Sequence, residues 1–170
     1  LGANSAATVH NVEGGRIGVY MYGSGSALDG GSIMVKGNIK ADSGITVNAK
    51  NGEVVVNGNI TASSIGVSTW ANQGTQITVN GNITVIDHRP NNEPIGIRAY
   101  SGTTVEVFGD VTVNGADCTG VHASGGIIRI DGNVVSSGQG VYCDSRGEVG
   151  ITGSLTAGTP FIVVGSTEMT

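Results

Sequence analysis

The sequence is poor in charge, in aromatic rings and in cysteine, and each shortage excludes something. Only 12% of its residues are charged, with 8 Lys plus Arg against 13 Asp plus Glu, a net charge of −5. A nucleic-acid partner calls for a basic stripe, so none is expected. Attraction to an anionic membrane surface is disfavoured for the same reason. No apolar run approaches 18 residues, so no transmembrane helix and no membrane insertion are expected. Two cysteines, Cys118 and Cys143, are too few for a disulfide framework. Proline occurs three times and aromatic residues make up 4%. The core must therefore be built from something other than rings.

What is abundant is glycine, 30 residues of 170, together with Val, Ile, Thr and Asn. No Gly-X-Y period is present, which excludes collagen, and the low charge argues against a disordered tail. Short β-rich segments closed by tight turns are the reading that this mixture supports.

An internal repeat organises the chain. Val35-Lys36-Gly37-Asn38-Ile39, Val56-Asn57-Gly58-Asn59-Ile60 and Val79-Asn80-Gly81-Asn82-Ile83 are three copies of one phrase. Variants follow at Val107-Phe108-Gly109-Asp110-Val111, Ile130-Asp131-Gly132-Asn133-Val134 and Ile151-Thr152-Gly153-Ser154-Leu155. A second phrase, Gly followed by Val or Ile, precedes each copy, at Gly18, Gly44, Gly66, Gly96, Gly120 and Gly140. A repeat of roughly 22 residues is too short for a strand, a helix and two loops, and no segment shows a 3.6-residue period. Three short strands per repeat are expected. The first follows the Gly-Val or Gly-Ile, the second ends at the Gly-Asn turn, and the third begins just after it.

Alternation within the strands separates inward from outward positions. The inward columns of the first strand are Val19, Ile45, Val67, Ile97, Val121, Val141 and Met21, Val47, Thr69, Ala99, Ala123, Cys143. Those of the second are Ile33, Val54, Ile77, Val105, Ile128, Val149 and Val35, Val56, Val79, Val107, Ile130, Ile151. The third contributes Ile39, Ile60, Ile83, Val111, Val134 and Leu155. Like stacks on like, which is how a solenoid buries a continuous core. Coils about 4.8 Å apart would make a rod roughly 29 Å long. The Asn at each turn is expected to hydrogen-bond from coil to coil, and the Gly before it to supply unusual backbone angles. The fold class is all-β: a single right-handed parallel β-helix of about six coils, one domain over residues 1–170. Leu1-Gly2-Ala3-Asn4 is neither a signal peptide nor an initiator, so we read the chain as a fragment of a larger surface protein.

With these units and their Asn ladders, residues 17–157 resemble the pectate-lyase-like right-handed parallel β-helix superfamily. In style they are similar to the Gly/Val/Asn-rich repeats of bacterial adhesins and autotransporter-type surface proteins. The resemblance implies the fold and a secreted or cell-surface location. It leaves activity open among lyases, hydrolases, esterases, tailspikes and non-catalytic adhesins. The Asn-Thr-Asp, Asp-Asp and Arg-Ile-Lys motifs that the resemblance would imply for a polygalacturonase are absent, as is the acidic cluster of a calcium-dependent lyase.

The aromatic residues are unevenly placed. All four Tyr and the single Trp fall on outward positions of the first strand: Tyr20, Tyr22, Trp70, Tyr100 and Tyr142. Arg98 and His122 share that face and together suit a carboxylate. The outward residues of the second strand, such as Met34, Val55, Thr78, Glu106 and Arg129, make a plainer surface. Tyr and Trp present a flat apolar face with a polar handle, suited to stacking on sugar rings. They also favour exposed strands for packing alone. The candidate ligand-binding residues are therefore Tyr20, Tyr22, Trp70, Arg98, Tyr100, His122 and Tyr142, facing a polysaccharide or a host-surface glycan or protein.

Catalysis is harder to support. Glycoside hydrolysis needs two carboxylates about 5 to 9.5 Å apart. The first-strand face carries Asp144, with Asp87 and Glu93 on a loop. Arg98, His122 and Asp144 are the best catalytic grouping available, and the expectation is nonetheless a non-catalytic protein, with His122 a solvated surface residue. His10, His88 and His122 lack metal-ligand spacing, so neither a metal nor a cofactor is expected. Thr61, Thr84, Thr112 and Thr156 form one outward column, which Lys40 and Val135 interrupt; an ice-binding face would need a parallel partner column. Two insertions, Gly23–Gly30 and Ile86–Pro94, border the first-strand sheet. Such loops decorate binding faces or are simply tolerated. Cys143 reads as a small core residue. Cys118, at the corner before a first strand, lies too far away for a disulfide, so both thiols are expected to be free.

Overall fold

The computed structural model describes residues 5–23, 30–70, 74–87 and 93–164. Most of both insertions (residues 24–29 and 88–92) lies outside the described residues, and His88 with them.

Glycine, Val and Ile at a two-residue period leave strands as the only element type among the described residues. They are β1 (Ser5–Val9), β2 (Val12–Glu13), β3 (Ile17–Tyr22), β4 (Gly31–Val35), β5 (Ile39–Asn48), β6 (Gly52–Val56), β7 (Ile60–Thr69), β8 (Thr75–Val79) and β9 (Ile83–Ile86). The remainder are β10 (Ile95–Tyr100), β11 (Thr103–Val107), β12 (Val111–Asn114), β13 (Thr119–Ser124), β14 (Ile127–Ile130), β15 (Val134–Asp144), β16 (Glu148–Ile151) and β17 (Leu155–Val163). All pair in parallel, each with its counterpart one coil away, and form a β-solenoid of about six turns.

The second strands make a seven-stranded sheet in the order β1-β4-β6-β8-β11-β14-β16. β1 therefore belongs to a coil that precedes the first Gly-Asn phrase, and Ala7 pairs with Ile33. The third and first strands share one ten-stranded sheet. Here the structure modifies the expectation of three separate strands per coil. In β5, β7, β15 and β17 the third strand of one coil runs into the first strand of the next without a break. Register shifts between Ala41 and Ser43, and between Ser136 and Gln139, mark the join. The two stay apart where Gly14–Arg16 separates β2 from β3, where residues 87–94 separate β9 from β10 and where Gly115–Cys118 separates β12 from β13.

The core follows the expected columns. Every inward position named above is buried except Ile33, Ile151 and Leu155, which are half-buried in end coils. Phe161 continues the column Val121–Val141 in the last strand, but no described coil covers it and it is 51% exposed.

The turn ladder is continuous, and its chemistry differs from a purely side-chain ladder. Asn11 Oδ1 accepts the backbone N–H of Asn38 (2.9 Å), Asn38 that of Asn59 (2.8 Å), and Asn59 that of Asn82 (2.8 Å). Asn82 accepts from Asp110 (2.8 Å), Asp110 from Asn133 (2.7 Å) and Asn133 from Ser154 (2.9 Å). An Asp serves at one rung because the ladder asks the side chain only for an acceptor oxygen. The glycine before each rung also acts differently from expectation. Gly58 has no left-handed φ; instead a Cβ there would lie 2.5 Å from both Asn38 Oδ1 and the Gly37 carbonyl oxygen. Close stacking of the turns, rather than unusual backbone angles, requires the glycine.

Candidate functional site

The seven candidate residues all lie on the outer face of the first-strand half of the ten-stranded sheet. Pairing fixes their ranks. Tyr20 is in register with Thr46, which meets Ser68, then Arg98, His122, Tyr142 and Ile162 in turn. The neighbouring column runs Tyr22–Asn48 at one end and Tyr100–Ser124–Asp144 at the other. Trp70 follows β7 directly, and its N–H donates to the Val47 carbonyl (2.9 Å).

The residues fall into two groups. Tyr20 and Tyr22 sit in the first coil, stacked on each other at 6.2 Å between ring centroids, and are 53% and 58% exposed. Thr46 and Ser68 lie between Tyr20 and Arg98, which are therefore three coils, about 14 Å, apart. The second group is denser. Arg98, His122 and Tyr142 follow one another coil by coil, with Tyr100 two residues along the strand from Arg98. Trp70, 57% exposed, stands one coil before Tyr100. Arg98, Tyr100, His122 and Tyr142 are all half-buried.

His122 is not the solvated surface residue expected. Its Nε2 lies 3.2 Å from Asp144 Oδ2, and the two side chains keep only 19% and 23% of their surface exposed. Its ring meets that of Tyr142 edge-on at 4.7 Å. The pair is diagonal: His122 is in register with Tyr142 and Ser124 with Asp144. Burial pushes the Asp144 carboxyl up, but hydrogen bonding from Ser124, His122 and Ser145, with the charge of His122, outweighs it and holds the carboxyl below the usual range. After Asp144 the chain turns through Ser145 and Arg146, both with left-handed φ (53° and 66°), and the Gly147 N–H returns to the Asp144 carbonyl at 2.8 Å. Two consecutive non-glycine residues in that region store strain immediately beside the site.

Tyr100 is positioned from beneath. Its backbone N–H donates to Thr69 Oγ1 (3.0 Å). The Thr69 and Thr103 hydroxyls are 2.9 Å apart, and Thr103 donates back to the Tyr100 carbonyl at 2.5 Å. Thr69 thus occupies an otherwise apolar inward column because it anchors the strand that carries Tyr100. A polar residue in that column (Met21, Val47, Thr69, Ala99) was the available signal in the sequence.

Arg98 has a different environment. Its Nε is shielded from solvent without a hydrogen-bond partner, and among the described residues no carboxylate pairs with its guanidinium.

The three carboxylates considered for hydrolysis, Asp144, Glu93 and Asp87, lie on different parts of the fold. Glu93 lies just before β10, at the opposite end of that strand from Tyr100, whose column holds Asp144. Asp87 belongs to another corner, where its N–H donates to the Asn114 carbonyl. No group of three or more metal-ligating side chains occurs among the described residues. Cys118 and Cys143 are both buried free thiols. Cys118 Sγ lies 3.3 and 3.1 Å from the Ser136 and Ser137 hydroxyls and accepts the Gly138 N–H at 3.1 Å. Burial pushes this thiol up, and these donors more than reverse it, so its pKa is lowered. Burial and the neighbouring Asp144 charge raise that of Cys143.

Compared with protein-family models, with curated proteins and with solved structures, the chain gave no match.

Proposed function

We propose that this chain is a non-catalytic, carbohydrate-binding β-helix of a secreted or cell-surface protein, adhesin-like in its role. The observation that carries the reading is the segregation of every Tyr and the Trp onto one outer face, in ranks that repeat with the coil. Successive ranks about 4.8 Å apart suit the successive rings of an extended glycan lying along the solenoid axis. Trp70, Arg98, Tyr100, His122 and Tyr142 form the main contact surface, and Tyr20 with Tyr22 a second platform toward the first coil. The separation of Asp144 from Glu93 supports binding without hydrolysis.

Affinity electrophoresis in gels containing plant, host or bacterial polysaccharides tests this, with product formation assayed in parallel. A matching polysaccharide should retard the protein without turnover. Tyr100→Ala/Tyr142→Ala should abolish the retardation while leaving the melting temperature within a few degrees (~1 kcal/mol of stability). Phe108→Ala, on the seven-stranded sheet, should retain it. Retardation that survives the double substitution, or product accumulation, would refute the reading.

A further inference from the structure

We infer that Arg98 selects for an anionic glycan, one that carries a carboxylate or a sulfate ester, and that this oxyanion seats on Arg98 beside His122. The inference rests on the glycan-binding reading and goes further, because it assigns the ligand's charge and the residue that reads it.

The ion pairs found among the described residues join Lys40 to Glu13, His122 to Asp144 and Arg129 to Glu106. Arg98 takes part in none, and its Nε is shielded from solvent without a hydrogen-bond partner. A cation half-removed from water without a counter-charge is unfavourable, and such a group is retained where something else completes it. The natural candidate within the protein is taken: Asp144, on the same face, is engaged by His122 at 3.2 Å. Asp144 itself lies two coils from Arg98 in the neighbouring column, and its pairing holds the imidazole in the coil next to Arg98, in register with it.

The surroundings specify what completes the site. Guanidinium presents N–H donors in a planar fork that fits the two coplanar oxygens of a carboxylate or of a sulfate ester. Tyr100, two residues along the strand, and Tyr142, two coils along the axis, offer ring faces on the same surface. An oxyanion on Arg98 therefore places its sugar ring within reach of the aromatic platform. The whole chain is acidic, at −5, so an anionic ligand gains nothing from the general field and depends on this one cation.

The test is a calorimetric titration of the intact chain with a uronate oligomer, dextran sulfate and unmodified dextran of matched length. At least one charged ligand should bind, and dextran should bind about tenfold more weakly or not at all, as loss of one charge-assisted contact requires. The two charged arms distinguish carboxylate from sulfate. Arg98→Gln should erase the preference, and Arg98→Lys should recover only part of it. Arg129→Gln makes the same change in net charge on the other sheet and should leave the preference intact. Equal binding of dextran and the charged ligands, or equal losses in Arg98→Gln and Arg129→Gln, would overturn the inference. If dextran binding is then still lost in Tyr100→Ala/Tyr142→Ala, the glycan-binding reading survives on its own. Failure of all three ligands to bind would overturn both.

Discussion

Replacing Gly58 by Ala should destabilise the protein, although a simple chain-entropy argument gives the opposite sign. Gly58 has an ordinary φ, so Ala can adopt its backbone. Restricting the unfolded chain would then stabilise the native state by about 0.4–1 kcal/mol. The structure adds a larger opposing effect. The new Cβ would stand 2.5 Å from the Gly37 carbonyl oxygen and from Asn38 Oδ1. One of these is backbone and the other is held by the Asn59 N–H at 2.8 Å, so neither yields easily. Overpacking of this kind costs about 1–3 kcal/mol. The net expectation is a loss of about 1–2 kcal/mol, and a melting temperature lower by roughly 2–8 °C for a chain of this size. Gly150 is the control. It also has an ordinary φ, lies in β16, and a Cβ there meets nothing within 4 Å. Gly150→Ala should raise the melting temperature by about 1–4 °C. Thermal unfolding of both variants, followed by circular dichroism, checks the pair. Shifts in the same direction would refute the stacked-turn account of the glycines.

Further predictions concern buried polar groups. Thr69→Val keeps the volume but removes the acceptor of the Tyr100 N–H and the partner of Thr103; urea unfolding should show a loss of about 1–3 kcal/mol. Because the Asp144 carboxyl is held below its ordinary value of 3.8, its contribution to stability is present above that value and disappears as pH falls through the lower, folded value. Asp144→Asn should therefore be less stable than the parent at neutral pH, and melting curves of the two should converge in acid. Both cysteines should resist a thiol reagent in the native protein and titrate as two free thiols in urea. Cys143→Ala should cost less than about 1.5 kcal/mol, since Ala99 and Ala123 already fill the same column.

The repeat made the core legible because side-chain alternation and a period near 22 residues together fix each inward position. A register error of one residue would have exposed all of Val19 to Val141. Other features were hidden because they depend on contacts between coils. The diagonal pairing of His122 with Asp144 joins residues 22 apart, and only the offset between adjacent coils brings them together. The same holds for Cys118, whose donors Ser136, Ser137 and Gly138 come from the coil above it. The turn glycines were recognised, but their reason was not, since a repeated Gly-Asn suggests a backbone-angle requirement as readily as a close approach. The fusion of third and first strands was likewise invisible, because the residues at the join, such as Ala41 to Ser43, are compatible with either a strand or a corner.

The aromatic face was legible in composition but not in its internal division. The sequence places seven residues on one surface with equal standing. The structure concentrates five of them in adjoining coils and shows which are held rigidly: Tyr100 by Thr69 and Thr103, and Tyr142 and Asp144 by His122.

Trp70 provides the most direct test of the account, since it is the single tryptophan and stands exposed at the edge of that group. Its fluorescence should be titrated with the polysaccharide panel, with product formation followed in the same samples. The account predicts a saturable change in intensity or wavelength without turnover, lost in Tyr100→Ala/Tyr142→Ala. A flat response to every polysaccharide, or a response that the double substitution leaves unaltered, would contradict it.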